Sequence, residues 1–115
     1  MKLITAVIKP IRLETVCSAL EKAGFAGLTV TDVQGRGVQA GRTEFYRGQA
    51  YSVEFRTKVR LELLVDDERL DLALGTILDA ARTGGDGELG DGKVWVTEVL
   101  RAIRVRTGEL DAAAI

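Results

Sequence analysis

The chain has 115 residues, 46% of them hydrophobic, with 16 lysines and arginines against 17 acids and a formal net charge of −1. That length fits one domain with a true core, and that charge gives no bulk attraction for nucleic acid or an anionic membrane. One cysteine and no histidine exclude an internal disulfide framework, the usual zinc sites and histidine-based acid–base catalysis.

No apolar run is long enough to span a bilayer. The opening MKLITAVIKP is too short and too interrupted for a signal peptide, so the expected address is the cytoplasm. Residues 2–9 read as a β-branched strand that Pro10 ends, because proline donates no ladder hydrogen bond. Over 11–23 the period becomes helical: Leu13, Val16, Cys17 and Leu20 share a face, and Gly24 is a natural stop. On that face Cys17 is expected to be an inert thiol.

Residues 25–34 return to an extended pattern, and 57–65 alternate cleanly, with Lys58, Arg60 and Glu62 on one face and Val59, Leu61 and Leu63 on the other. Asp66 and Asp67 read as a helix start with acidic support for the dipole. Leu70, Ala73, Leu74, Ile77, Leu78 and Ala81 form its apolar stripe, in which Gly75 costs about 1 kcal/mol of helix propensity against alanine. Residues 93–99 form a strand and 102–106 a further short extended piece. The tail, 107–115, has no evident core role.

The order β-α-β-loop-β-α-β predicts an α+β, ferredoxin-like split β-α-β sandwich, an antiparallel sheet with two helices on one face. One domain covers residues 1–115. The other sheet face is left uncovered, which suggests a homo-oligomer.

Two glycine-rich stretches stand out. Residues 35–51, GRGVQAGRTEFYRGQAY, are too long for a hairpin turn and carry both tyrosines; a loop of that length inside a compact domain is usually functional or disordered. Gly35, Gly37 and Gly41 miss the dinucleotide fingerprint by one residue and lack its strand-turn-helix setting; ordinary turn chemistry accounts for them equally well. Residues 87–94, GELGDGKV, nearly spell a Walker loop but end in Val94 and precede a strand. Clustered glycine amides plus Lys93 can still cradle an anion, with a plain helix-to-strand connector as the simpler reading. Arg104 and Arg106 are two apart and are expected on one strand face. With Lys93 and Lys58 they make four cations on or beside strands, which read locally as a guarded sheet edge and, with the glycine loops, as an anion site. Trp95 reads as core or subunit interface.

Taken together, MKLITAVIKP, GLTVTDVQGRG, YRGQAY, GDGKVWV and IRVRTGE resemble, in that order, segments of the PII nitrogen-regulatory signalling family across almost the whole chain. The resemblance implies a homotrimer of ferredoxin-like subunits that binds ATP or ADP in the clefts between subunits. With Mg²⁺-ATP bound it senses 2-oxoglutarate. A long effector loop, here residues 37–55, docks onto an ammonium transporter or other membrane transporter, or onto a metabolic enzyme. Such a protein is cytoplasmic, is recruited to the inner membrane by a transporter, and is not an enzyme.

Carried over by position, the nucleotide-binding residues are Thr29, Gly35, Gly37, Val38, Gln39, Leu64, Gly90, Asp91, Gly92, Lys93, Arg104, Val105 and Arg106. The nucleotide loop spans residues 83–93. Gln39, Gly41 and Lys58 are implied for 2-oxoglutarate, Lys58 through its distal carboxylate, and Gln39 offers a hard carbonyl oxygen to the Mg²⁺ of ATP. Tyr51 matches the tyrosine that a nucleotidylyltransferase modifies in some members. The sequence departs from the family pattern at Val38 and Ala40, which replace cations, at Gln49, which replaces a small residue beside Tyr51, and in a longer stretch at 84–89. Those departures set an alternative, a divergent paralogue that senses adenine nucleotides for a non-nitrogen client.

Two other classes share this topology. An acylphosphatase is suggested by Val33-Gln34-Gly35, but that segment follows the second strand and the chain has no asparagine for catalysis. An RNA or metal module is disfavoured, since the sheet lacks a stacking aromatic pair and the chain has no C-x-x-C.

Overall fold

The computed structural model of the chain describes residues 1–36, 43–46, 49–52 and 55–115, with 43–46 and 49–52 described by their backbone pairing. The strands are β1 (Lys2–Ile8), β2 (Thr29–Gly35), β3 (Thr43–Tyr46), β4 (Gln49–Ser52), β5 (Arg56–Val65) and β6 (Gly92–Glu98), and the helices are α1 (Leu13–Lys22) and α2 (Leu70–Ala81). Four strands form one sheet in the order β2-β5-β1-β6, and every neighbouring pair is antiparallel. Each helix therefore connects two strands that have one other strand between them in the sheet, the split β-α-β arrangement expected from the alternation of sequence periods. The loop between β2 and β5 carries a ladder that the sequence reading did not anticipate: β3 pairs with β4, Thr43 opposite Ser52 and Tyr46 opposite Gln49.

Strand parity settles the two faces. Ile4, Ala6 and Ile8 of β1 stand in register with Leu63, Leu61 and Val59 of β5. All six are buried, and with Val65, Val16, Leu20, Ala73 and Ile77 they make the core between sheet and helices. Burying a side chain of the Ile or Leu kind stabilises by about 1.5–3 kcal/mol, so this face accounts for most of the fold's cohesion. Arginines clasp the helix pair at both ends. Arg12, at the start of α1, donates through Nε and Nη2 to the Ala80 carbonyl at 2.9 and 2.6 Å. Arg69, before α2, donates to the Ala23 carbonyl at 2.7 Å and stacks on the Phe25 ring at 4.0 Å. Both arginines satisfy last-turn carbonyls that the helices themselves leave free.

Several sequence expectations are corrected. Both helices begin later than expected, after a 3₁₀ turn at Pro10–Arg12 and another at Asp67–Arg69. Asp66 occupies the cap position of the second turn without a side-chain bond. Asp67 stands in the first turn as expected and also pairs with the amino terminus at 2.9 Å and with Lys2 at 3.2 Å. The stripe of α2 is shifted as well: Ala80 is buried, whereas Leu78 is 42% exposed.

Residues 102–106 are not a strand. Ile103 bridges to Leu110, the Gly108 amide donates to the Arg104 carbonyl at 2.7 Å, and Arg106 lies in the intervening turn. Gly108, at φ +72, supplies the left-handed residue that reverses the chain there. The tail is folded back too: the Asp111 amide donates to the Ala102 carbonyl at 2.7 Å and its carboxylate accepts from the Ala102 amide at 3.2 Å.

Candidate functional site

The face of the sheet away from the helices carries the charge. Register places Thr29, Glu62, Thr5 and Trp95 in one row, and Thr31, Arg60, Val7 and Lys93 in another. Lys58 stands opposite Val33, and Leu64 opposite Leu3. Thr29, Lys58, Leu64 and Lys93 thus all belong to this open face, at its two ends. From Lys58 to Leu64 along β5 is roughly 20 Å.

At one end stands the 83–92 loop. Lys58 donates its ammonium to the Gly90 carbonyl, which ties strand β5 to the loop. Burial lowers the Lys58 pKa, the neighbouring Lys9 and Arg56 lower it further, and Asp91 opposes them. The loop itself is gathered around the Asp91 carboxylate, which accepts from the Thr83 hydroxyl at 2.5 Å, the Glu88 amide at 2.8 Å and the Thr83 amide at 3.1 Å. Lys9, on the chain leaving β1, lies 3.3 Å from Asp91 and 3.5 Å from Glu88 and donates to the Thr83 hydroxyl at 3.2 Å. Burial alone would push the Asp91 carboxyl up, but those hydrogen bonds outweigh it and hold the group well below the usual carboxylate range.

The sequence reading placed Asp91 among nucleotide contacts. Both its carboxylate oxygens are engaged inside the loop, so this side chain shapes the backbone rather than facing outward. Gly92 has a second reason to be glycine. At φ +113, an added Cβ would lie 1.8 Å from the Val7 carbonyl oxygen. Lys93 follows and is exposed. On the helix side of the loop, between α2 and the adjoining ends of β1 and β6, a recess of about 350 Å³ opens, lined among others by Ile8, Leu78, Arg82, Glu88, Lys93 and Val94.

At the other end lies a larger recess of about 860 Å³. Thr29 and Leu64 line it, together with Glu62, Phe25, Arg69 and the tail residue Ile115. Its size and mixed apolar and polar lining are those of small-molecule sites.

Arg104 and Arg106 stand on the C-terminal hairpin, beyond the far end of β6 from Lys93. Neither lines either recess. Arg104 is paired with Glu109 at 3.2 Å, and Val105 between the two arginines is fully exposed. Gly35 ends β2 opposite Arg56. Gly37, Val38, Gln39 and Gly41 lie outside the described residues. The backbone of Tyr51 pairs with that of Glu44. Among the described residues no group of His, Cys, Asp and Glu side chains is arranged to hold a metal ion, and no helix is long and apolar enough to cross a membrane.

A single chain therefore brings together Lys58, Gly90, Asp91, Gly92 and Lys93, separately brings together Thr29 and Leu64, and holds Arg104, Val105 and Arg106 apart from both. The sequence reading missed Lys9, Thr83 and Glu88. An aspartate between glycines is a recognisable loop-organising signal, but its partners depend on where β1 ends in space.

The chain matches the family described as "Nitrogen regulatory protein P-II" over residues 1–109. It is 50% identical to nitrogen regulatory protein P-II 1 of Escherichia coli (strain K12) over 115 residues, which cover 100% of both chains. This chain belongs to the P-II family. It is also 50% identical to nitrogen regulatory protein P-II of Klebsiella oxytoca and 49% identical to nitrogen regulatory protein GlnK of Escherichia coli (strain K12), again over 100% of each chain. Membership places the chain among regulators, in signal transduction for nitrogen regulation. The four-stranded antiparallel sheet with two helices is consistent with the ferredoxin-like fold of that family.

Proposed function

We propose that the chain is a homotrimeric signal transducer that binds ATP or ADP between neighbouring subunits. The observation that carries this reading is the distribution of site residues over one chain. Cations and pliable backbone stand at one end of the open face, a ligand-sized recess at the other, and two more arginines on a hairpin beyond β6. One nucleotide meets all of them only when copies pack side by side. The apolar surface left exposed fits such packing: Leu100 is 96% exposed, Val105 100% and Ile103 60%.

In this reading the Thr29 and Leu64 recess takes the base. The Gly90–Gly92 backbone and Lys93 take phosphate oxygens, joined by Arg104 and Arg106 from a neighbouring subunit, because guanidinium and ammonium groups form charge-assisted bonds to phosphate. Gly35, Gly37, Val38 and Gln39 complete the site from the base of the 37–55 loop. Mg²⁺ enters with ATP and takes the Gln39 carbonyl oxygen. The carboxylate groups of 2-oxoglutarate meet Gln39, Gly41 and Lys58. Val38 supplies no cation, so ATP gains less over ADP than an arginine there would give.

Ligand-dependent contacts then bias the 37–55 loop between docked and free states. The clients are an ammonium transporter or other membrane transporter, or a metabolic enzyme, and Tyr51 is the residue a nucleotidylyltransferase would modify. The protein works in the cytoplasm, at the inner membrane when a transporter recruits it, binds no nucleic acid and catalyses no reaction. Calorimetric titration of the purified protein with ATP, with and without Mg²⁺ and 2-oxoglutarate, tests this. Saturable binding of ATP and ADP, with 2-oxoglutarate binding only alongside Mg²⁺-ATP, supports the reading. No heat from either nucleotide at millimolar ligand defeats it.

A further inference from the structure

The 83–92 loop holds two carboxylates that do different work. Asp91 accepts three hydrogen bonds and its side chain is 16% exposed. Glu88 is 59% exposed, and its Oε2 lies 3.1 Å from the Thr83 hydroxyl and 3.5 Å from Lys9. A hydroxyl has one proton to give, and the 2.5 Å contact assigns it to Asp91. Glu88 is left with a long, exposed ion pair, which contributes little to stability.

Its position matters more than its bond. Glu88 and Lys93 line the same recess of about 350 Å³. The carboxylate thus puts a full negative charge beside Lys9, in the loop whose backbone and lysine are otherwise suited to an anion. A phosphate chain held by this loop meets that charge as a repulsion. Coulomb repulsion grows with the charge of the ligand, so Glu88 acts more strongly against a triphosphate than against a diphosphate.

We propose that Glu88 is a specificity-determining residue, a built-in counter-anion that lowers the loop's preference for the more highly charged of two anionic ligands. This rests on the reading of the 83–92 loop as the phosphate side of a nucleotide site. It assigns the stretch at 84–89 a part in ligand choice and not only in connecting α2 to β6.

The test is calorimetric titration, with Mg²⁺ left out so that ATP carries its full charge, of the wild-type assembly and of Glu88→Gln with ATP, ADP and inorganic tripolyphosphate, at low and at high salt. Glutamine keeps the shape and, through its carbonyl oxygen, can still accept from Lys9. The expected result is tighter binding by the variant at low salt, about two- to five-fold for ATP and tripolyphosphate, less for ADP. The difference shrinks at high salt, as an exposed charge effect must. Thermal unfolding of the variant stays close to wild type.

If the wild type binds nucleotides and the variant binds them equally or more weakly, Glu88 has only a structural role and the inference is wrong while the site stands. A gain of the same size for ATP and ADP also overturns it. If neither protein binds any of the three probes, the nucleotide reading and the inference fall together.

Discussion

The two faces of the four-stranded sheet obey different rules. On the helix side Ile4, Ala6 and Ile8 are at 0% exposure and belong to one hydrophobic cluster. On the open side Lys58, Arg60, Glu62 and Lys93 stand among Thr29, Leu64 and Trp95, and Trp95 keeps 43% of its surface exposed. The first face is complete within one chain. The second is charged, partly apolar and exposed, which fits the proposed sharing of that surface with other copies and an anionic ligand. The difference teaches that the same strands, one residue apart in sequence, give a closed core on one side and, in the proposed reading, a functional surface on the other.

The sharpest break of that division comes where the two sides meet, at Gly92. Gly92→Ala forces a Cβ into the Val7 carbonyl and a disfavoured φ; a loss of about 3 kcal/mol or more is expected in urea unfolding. Ile4→Ala, on the completed face, is expected to cost about 2–5 kcal/mol while leaving nucleotide affinity per folded protein unchanged. If Ile4→Ala instead abolished binding at full foldedness, the two faces would not be separable.

Asp91→Asn comes next, at about 1–3 kcal/mol, since it weakens bonds that converge on a charged acceptor. Its pH signature has a definite sign. Asp91 titrates lower in the folded chain than the ordinary value of 3.8, so its contribution is complete above that pH and is lost as the pH falls through and below it. Unfolding curves of the wild type should therefore weaken in acid more steeply than those of Asp91→Asn. Parallel curves would mean that the carboxylate does not organise the loop. Smallest in stability is Arg104→Ala, within about 0.5 kcal/mol by thermal unfolding, because its pair with Glu109 is exposed. The same change should weaken ATP binding at least several-fold.

How much of this was legible in the sequence follows the same division. The helix face was readable because alternation in β5 and helical spacing in α1 are local patterns. The topology followed from their order. What escaped was set by geometry between distant segments. Asp66 and Asp67 do stand at a helix start, but Asp66 makes no side-chain cap bond, and the pairing of Asp67 with the amino terminus and Lys2 was not visible. Arg104 and Arg106 were placed on one strand face, but Gly108 turns the chain between them and the tail.

On the functional side, Lys93 and the Gly-Asp-Gly run were visible as a motif. The way Asp91 is used, with Lys9 and Thr83 as partners, was not, because β1 and the loop are far apart in sequence. Gly92 was read only as a nucleotide-loop position, and the approach of Val7 shows that the fold itself requires a glycine there.

The central claim is that the anion site is shared between copies of the chain. Mixing two inactive variants tests it most directly. Lys93→Ala and Arg104→Ala chains are each purified, shown to have lost ATP binding, then unfolded and refolded together, and titrated with ATP. A shared site predicts that binding returns in the mixture, because some interfaces join an intact Lys93 to an intact Arg104. A site contained within one chain predicts no recovery, and a mixture that stays silent while assembling normally would contradict the account.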